Sequence, residues 1–564
     1  MARKPIVKKE PRLLFLLLLF TLVFLVIGAR LVFIQVVQAK KYKNIALKEH
    51  VRRLELPPAR GMIYDREGEE MAISVEMATV YATPYLIKDP RSVSAKLAPL
   101  LNMRKKRLLK KFGSDTGFVY LARKIDQKKA QKIQDLKIEG IGVVKESKRY
   151  YPIGSLAAQT LGFAGLDNKG LSGLELYYDK VLQGKPGQLI KEIDPLGRPI
   201  PGGVFKFSPS RSGKSVVLTL DRDIQYQAQQ KLEKAVKDFG AKNGIAVVMN
   251  PKTGDIYALA NAPSFNLNHF SQADEEILRN KAITDTFEPG STMKVITAAA
   301  ALEENIAQPQ SPYYLPPRIR VADRVIKEAH ERGGRTFTLS QIVSKSSNVG
   351  AVILGIKLGK NKLYKYIEAF GLTEQTKVDF PGEVKGYTPP PDKWSGSSIG
   401  NIPFGQGLSV TPLQMIMAIS TVANDGISVR PRLVSRIIEN DGETRVLKKD
   451  SGEKVISSQT AKEMRSILEK AVLEGTGKAA QVPGYRVAGK TGTAQKPKKN
   501  GVGYEPGKYA ASFIGFAPLR DPQIAILVII DEPEKGMYGG TLAAPAFKEI
   551  MQFSLHHLRI APEK

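Results

Sequence analysis

The chain has 564 residues, 42% of them hydrophobic, and a formal net charge of +30. That length exceeds one ordinary domain and allows two or three with real cores. Cysteine is absent, which excludes disulfides and thiolate metal sites. His50, His269, His330, His556 and His557 lack metal-ligand spacing, so no metal is expected.

The basic balance suits anionic lipid and acidic polymers as well as nucleic acid. Neither a nucleic-acid motif nor a phosphate-binding or dinucleotide fingerprint is present, and no cofactor is expected. A membrane segment also argues against nucleic acid. Arg3, Lys4, Lys8, Lys9 and Arg12 mark residues 1–12 as a cytoplasmic tail. Leu13 to Ala29 is uncharged, and after Arg30 the apolar run resumes to Val37. This outlasts a signal-peptide core of roughly 7–15 residues and meets the ~20 needed to cross a bilayer. Residues 13–38 therefore read as an uncleaved single-pass anchor, with Arg30 at the outer interface and the rest of the chain outside the inner membrane.

Ala39 to Arg53 reads as a polar, helix-prone stalk. The stretch Arg104 to Lys111, basic with interspersed leucines, predicts an amphipathic helix with a solvated face. Turn residues from Gly184 to Ser210 place a domain boundary near 205–215. Val216 to Asp221 reads as a strand, followed by a helix from near Ile224 capped by Asp221 or Asp223. A hairpin turns at Asn250–Asp255. Late strands are expected at Val487–Gln495, Ala511–Ala517 and Ile524–Ile530, and a helix at Ala544–Leu558. An antiparallel sheet with helices on its faces is an α+β arrangement. Thr411-Pro412 opens a further helix, and Trp394, the lone tryptophan, reads as core packing.

Between hairpin and late strands lies Phe287-Glu288-Pro289-Gly290-Ser291-Thr292-Met293-Lys294, ahead of a run of helix formers from Val295 to Glu304. Ser291 thus sits at a helix N-terminus, where backbone N–H groups favour developing negative charge. Lys294 shares its face. A hydroxyl and an amine one turn apart can form an activated nucleophile. Alone the pattern is weak, for Ser451 and Lys454 repeat it in a polar loop. Ser346-Ser347-Asn348 and Lys490-Thr491-Gly492-Thr493 follow in order, however. Together the three form the active-site set of penicillin-binding proteins and β-lactamases. Copies at Lys252-Thr253-Gly254 and Ser264-Phe265-Asn266 precede Ser291, and the first reads as a hairpin turn.

On these motifs the chain closely resembles the class B penicillin-binding proteins, monofunctional peptidoglycan transpeptidases. Arg60-Gly61 to Gly68, Arg149 to Gly154, and Gly170 to Glu175 resemble that class's N-terminal signatures. Their glycines and an Arg–Glu pairing point to an interlocked structural module. Gly405-Gln406-Gly407 and Leu408 to Met415 resemble the family too. The resemblance implies an elongated mixed α/β pedestal (39–210) and a penicillin-recognising serine transferase, or transpeptidase, domain (211–560).

It also implies a stem peptide ending in D-Ala-D-Ala as substrate. Ser291 would be the nucleophile, and Lys294 its base once burial and neighbours such as Lys490 lower its pKa. Ser346 would relay protons, and Asn348 would hold the peptide amide and the Lys294 ammonium. Lys490 would supply positive charge, and Thr491 and Thr493 would bind the substrate carboxylate. Gly492 would let substrate lie flat on the strand. The backbone N–H groups of Ser291 and Thr493 would form the oxyanion hole. β-Lactams would trap Ser291. Glu288 resembles the division (FtsI-like) branch rather than the elongation branch. A SEDS-type, FtsW-like glycosyltransferase and other divisome membrane proteins are the implied partners, at the septum. The end of the chain soon after its last helix leaves no room for C-terminal PASTA modules. A membrane-anchored serine β-lactamase would need a deacylating base, and a non-catalytic septal scaffold would have lost the motifs.

Overall fold

A computed structural model describes residues 11–43, 51–114, 118–192, 200, 205–329, 333–498 and 503–563. Most of the basic tail, part of the stalk, His50, His330 and much of the turn-rich boundary (193–199 and 201–204) lie outside the described residues.

An α-helix spans Pro11–Val32 and runs on through a π-helical turn, Phe33–Val37. These 27 residues contain an 18-residue window of mean hydropathy 2.7 and none is buried, so the segment is long and apolar enough to cross a membrane. The helical stalk needs correction at its end. Val51–Leu56 is a strand, laddered antiparallel to Gly187–Glu192. A backbone partner distant in sequence outweighs local helix preference.

Packing divides the chain into two compact units that are not continuous in sequence. One comprises Met1–Pro58, Ala78–Glu146 and Lys185–Arg211, and the other Ala59–Met77, Ser147–Gly184 and Ser212–Lys564. In the first, the basic stretch forms a helix, Lys105–Phe112, that buries Leu108 and Phe112 and leaves most of its lysines exposed. Their core partners include Val80, Leu97, Leu121 and Ile133. Residues four apart share a helix face, which explains a solvated basic side over a small core.

In the second unit three N-terminal signature stretches meet at one buried carboxylate. Arg60 Nε lies 2.5 Å from Glu175 Oε2, and Arg149 Nε lies 2.6 Å from Glu175 Oε1. Arg60 also reaches Asp179 at 2.6 Å and donates to the Asn168 and Glu175 carbonyls. Arg149 donates to Gly61 O at 2.7 Å. The Arg–Glu pairing expected from sequence is thus present, and it lies in the same unit as the three motifs.

The sheet of this unit runs Ile256–Ala262, Asn243–Met249, Ile524–Asp531, Tyr504–Ala517, Ala488–Pro497, antiparallel throughout. Its central strands are apolar on both faces, because both are covered. Ile526, Val528 and Ile530 join Phe513 and the outer helices Arg222–Phe239 and Ala544–His557 in one core. Leu527 and Ile529, pointing the other way, join Ile514 and the helix Lys294–Glu303. Period-two alternation therefore builds two cores on one strand. Asp221 caps the Arg222–Phe239 helix, accepting from the Asp223 and Ile224 N–H groups at 3.1 Å. The helix starts two residues before the expected Ile224, and the strand ahead of it, Ser215–Leu218, ends earlier than expected. Thr411 caps Pro412–Ala423 through a capping box with Gln414. Trp394 is only half-buried, its indole N–H donating to Pro389 O at 2.7 Å.

Candidate active site

The segment before Ser291 is held by backbone. Phe287 and Val410 exchange N–H···O bonds of 2.9 Å, and the Gly290 N–H donates to Gly405 O at 3.1 Å. Gly405 has φ +89°, and a Cβ there would stand 2.1 Å from Gly290 O. Only glycine satisfies that approach. Gly290–Met293 is a 3-10 turn leading into the α-helix Lys294–Glu303. Ser291 is thus one turn ahead of the α-helix rather than inside it. The tighter turn still serves, since residues three apart eclipse in a 3-10 helix. Lys294 Nζ lies 3.0 Å from Ser291 Oγ.

Lys294 to Leu302 are all buried, so this helix has no polar face. A lysine so placed needs partners. Lys294 Nζ also donates to Ser346 O at 2.7 Å, Asn348 Oδ1 at 2.7 Å and Ser346 Oγ at 3.2 Å. Ser346 is left-handed, with φ +57°, a conformation that costs a non-glycine residue roughly 1–3 kcal/mol. It places Ser346 Oγ between two ammonium groups, the second being Lys490 Nζ at 2.9 Å. Lys490 is 1% exposed, and burial pushes its pKa down to about 7.

Lys490 to Thr493 lie on the edge strand Ala488–Pro497. Thr491 Oγ1 is 2.6 Å from Thr476 Oγ1, and Thr493 Oγ1 accepts from the Gly539 N–H at 3.2 Å. Packing gives Gly492 a reason of its own to be glycine. A Cβ there would meet Ser512 Oγ at 2.2 Å, Thr292 Cγ2 at 3.1 Å and Pro289 O at 3.2 Å. The strand lies close against its neighbour and against the Ser291 turn. Asn348 Nδ2 donates to Lys327 O at 3.2 Å.

Ser291, Ser346, Asn348, Thr491 and Thr493 line one cleft of about 750 Å³. Lys345 and Lys478 add cations to it, and no described residue lining it is acidic. The field inside favours an anion. The alternative motif copies lie elsewhere: Ser451 and Lys454 are exposed, Lys252 caps a hairpin turn and pairs with Asp521, and Ser264 donates to Ser155 O at 2.8 Å. Among the described residues no cluster of potential metal ligands occurs.

Further contributors lie outside the three motifs. Glu288 accepts from the Gly407 N–H at 3.0 Å and from Tyr504 Oη at 3.1 Å, and burial raises its pKa. Glu328 accepts from Ser347 Oγ and from the Asn348 N–H at 2.8 Å. Thr476 and Gly405 also act over long separations; Glu288 and Gly405 stand in stretches that resemble the family, whereas no local pattern marks Glu328 or Thr476.

The geometry sets a hydroxyl beside a buried amine, a second hydroxyl between two lysines, and threonines facing a cationic cleft. That is machinery for acyl transfer from a carboxylate-bearing substrate. Comparison with known proteins agrees. Residues 244–552 match the penicillin binding protein transpeptidase domain, and residues 55–218 the penicillin-binding protein dimerisation domain. Stage V sporulation protein D of Bacillus subtilis is 38% identical, over 98% of this chain and 86% of that protein. The peptidoglycan D,D-transpeptidase FtsI of Escherichia coli K12 is 33% identical, over 97% and 91%. The crystal structure of penicillin binding protein 3 from Mycobacterium tuberculosis with aztreonam superposes with a TM-score of 0.72 at 31% identity, covering 91% of this chain and 98% of that one. With the motifs assembled in one cleft and likeness extending over nearly all its length, the chain belongs to the class B penicillin-binding proteins, the peptidoglycan D,D-transpeptidases.

Proposed function

We propose that this transpeptidase crosslinks stem peptides during septal wall synthesis, with Ser291 as its nucleophile. The observation that carries the assignment is the 3.0 Å contact of Lys294 Nζ with Ser291 Oγ. Ser291 Oγ attacks the carbonyl of the penultimate D-Ala and passes its proton to Lys294. The backbone N–H groups of Ser291 and Thr493 hold the oxyanion, a contribution of about 10²–10³ per donor in comparable sites. The tetrahedral intermediate collapses, the C–N bond breaks, and the departing D-Ala amine takes a proton by way of Ser346 Oγ. Lys490, Thr491 and Thr493 bind the terminal carboxylate, and Asn348 orients Lys294. An amine of a neighbouring stem peptide then attacks the acyl-enzyme, forms the new amide and returns the proton to Ser291. A β-lactam enters by the same first step and stays bound.

The basic tail faces the cytoplasm, residues 13–38 anchor the chain, 39–210 is the pedestal domain, and the catalytic domain (211–560) works in the periplasm. An FtsW-like glycosyltransferase and other divisome membrane proteins are its partners. Glu288 and the likeness to FtsI support the division setting. The likeness to a stage V sporulation protein favours a second setting, wall synthesis during spore formation. Depletion in growing cells separates them, giving filaments under the first and normal division under the second. The chemistry is tested by incubating the detergent-solubilised chain with a D-Ala-D-Ala stem peptide and an acceptor amine. D-Ala release with formation of the new amide is expected. Release of D-Ala with only hydrolysis would contradict transpeptidation.

A further inference from the structure

Asn348 is held from two sides. Its Oδ1 accepts from Lys294 Nζ at 2.7 Å, while its own backbone N–H donates to Glu328 Oε2 at 2.8 Å. The other oxygen of Glu328 accepts from Ser347 Oγ. Ser347 is fully buried and caps the helix Asn348–Leu358 by accepting from the Gly350 N–H at 2.9 Å. The residue before Glu328 completes the grip, Lys327 O accepting from Asn348 Nδ2 at 3.2 Å. One short stretch, Lys327-Glu328, just after the Arg318–Val321 and Arg324–Lys327 hairpin, thus engages three groups of the second motif.

Two features make this grip necessary. Ser346 is in the left-handed conformation, which a non-glycine residue rarely adopts. The Asn348 amide also has two ways round, and only one presents Oδ1 to Lys294. The Lys327 carbonyl accepts from Nδ2 and so selects that orientation. The Glu328 carboxylate fixes the backbone from which the amide projects. A negative group at that helix end is favoured by the helix dipole.

We propose that Glu328 is a positioning residue for the acylation step. It acts through Ser347 and Asn348 to hold Lys294 Nζ against Ser291 Oγ, and does not touch substrate itself. This rests on the assignment of Ser291 as nucleophile and Lys294 as its base. A group that orients the base should change the acylation rate constant, not the fraction of protein that can be acylated.

The test is rapid-mixing acylation of the detergent-solubilised full chain by a fluorescent penicillin. Wild type, Glu328→Ala, Glu328→Gln, Asn348→Ala and the Glu328→Ala/Asn348→Ala double variant are compared. Glu328→Ala is expected to lower the acylation rate constant about tenfold or more, within the span assigned to a mis-set acid–base group. Saturating label should stay at one per chain. Glu328→Gln keeps one acceptor oxygen and should fall between the two. In the Asn348→Ala background, removing Glu328 should cost little more, because linked residues are not additive. Wild-type rates in both Glu328 variants, or full additivity in the double variant, would overturn the inference. So would a loss of labelled fraction with unchanged rate in both Glu328→Ala and Glu328→Gln, which marks a folding role. Failure of the underlying assignment shows differently, as labelling that survives in Ser291→Ala.

Discussion

Lys490 carries its ionisable group almost wholly out of water, and its protonation is therefore sensitive to pH near neutrality. An unfolded lysine holds its proton to about pH 10.4, whereas burial brings Lys490 down to about 7. Between those values the unfolded chain binds more protons, so this residue makes stability rise with pH across that window. Below pH 7 the buried ammonium is present at full cost, and the cleft holds its charge. Raising the pH from 6 to 8 should then weaken the non-covalent binding of a β-lactam carboxylate. The weakening should be about tenfold, a fraction of the charge–charge energy at short range. Lys490→Arg should flatten that dependence, because its guanidinium does not titrate there. Stopped-flow separation of binding from acylation measures both.

At the scale of elements, long-range grips make the difference between motifs in sequence and a working site. Gly405→Ala would push a Cβ to 2.1 Å from Gly290 O at a positive φ. Displacing the Ser291 turn by even ~1 Å should lower the acylation rate about 10²-fold, with circular dichroism unchanged. Glu175 answers two guanidinium groups, and its side chain and that of Arg60 are both fully buried. Glu175→Ala should destabilise the fold by about 3–5 kcal/mol, since it takes the carboxylate from buried Arg149 and leaves buried Arg60 with Asp179 alone; thermal unfolding would show it. The three motifs were legible because each is a run of near neighbours in sequence: Ser291 to Lys294 between Pro-Gly and helix formers, Ser346 to Asn348, and Lys490 to Thr493. The strands of the five-stranded sheet were legible for the same reason, to within a few residues, except that Tyr504–Ala517 begins seven residues before the expected Ala511. Glu328 and Thr476 were not, and Gly405 was marked by resemblance but not by its role, because each is defined by a residue 15 or more positions away. The packing constraint on Gly492 was hidden for a related reason: its neighbours Thr292 and Pro289 come from a different element. Val51 to Arg53, the end of the expected stalk, looked helix-prone until the partner of their strand, more than 130 residues on, was in view.

For the whole molecule, the anchor and the chemistry separate cleanly. The apolar helix lies in the compact unit that does not contain Ser291, and the motifs with the buried Arg60–Glu175 pair lie in the other. A chain beginning at Ala39 should leave the membrane fraction and keep its acylation rate. Loss of labelling in that soluble protein would show that the site depends on the anchor. The measurement that bears most directly on the account is covalent labelling by fluorescent penicillin, with wild type, Ser291→Ala and Ser451→Ala side by side and the adduct located by peptide mass. The account predicts lasting label on the peptide containing Ser291, lost in Ser291→Ala and retained in Ser451→Ala. Label persisting in Ser291→Ala, or rapid drug hydrolysis without lasting label in the wild type, would contradict it.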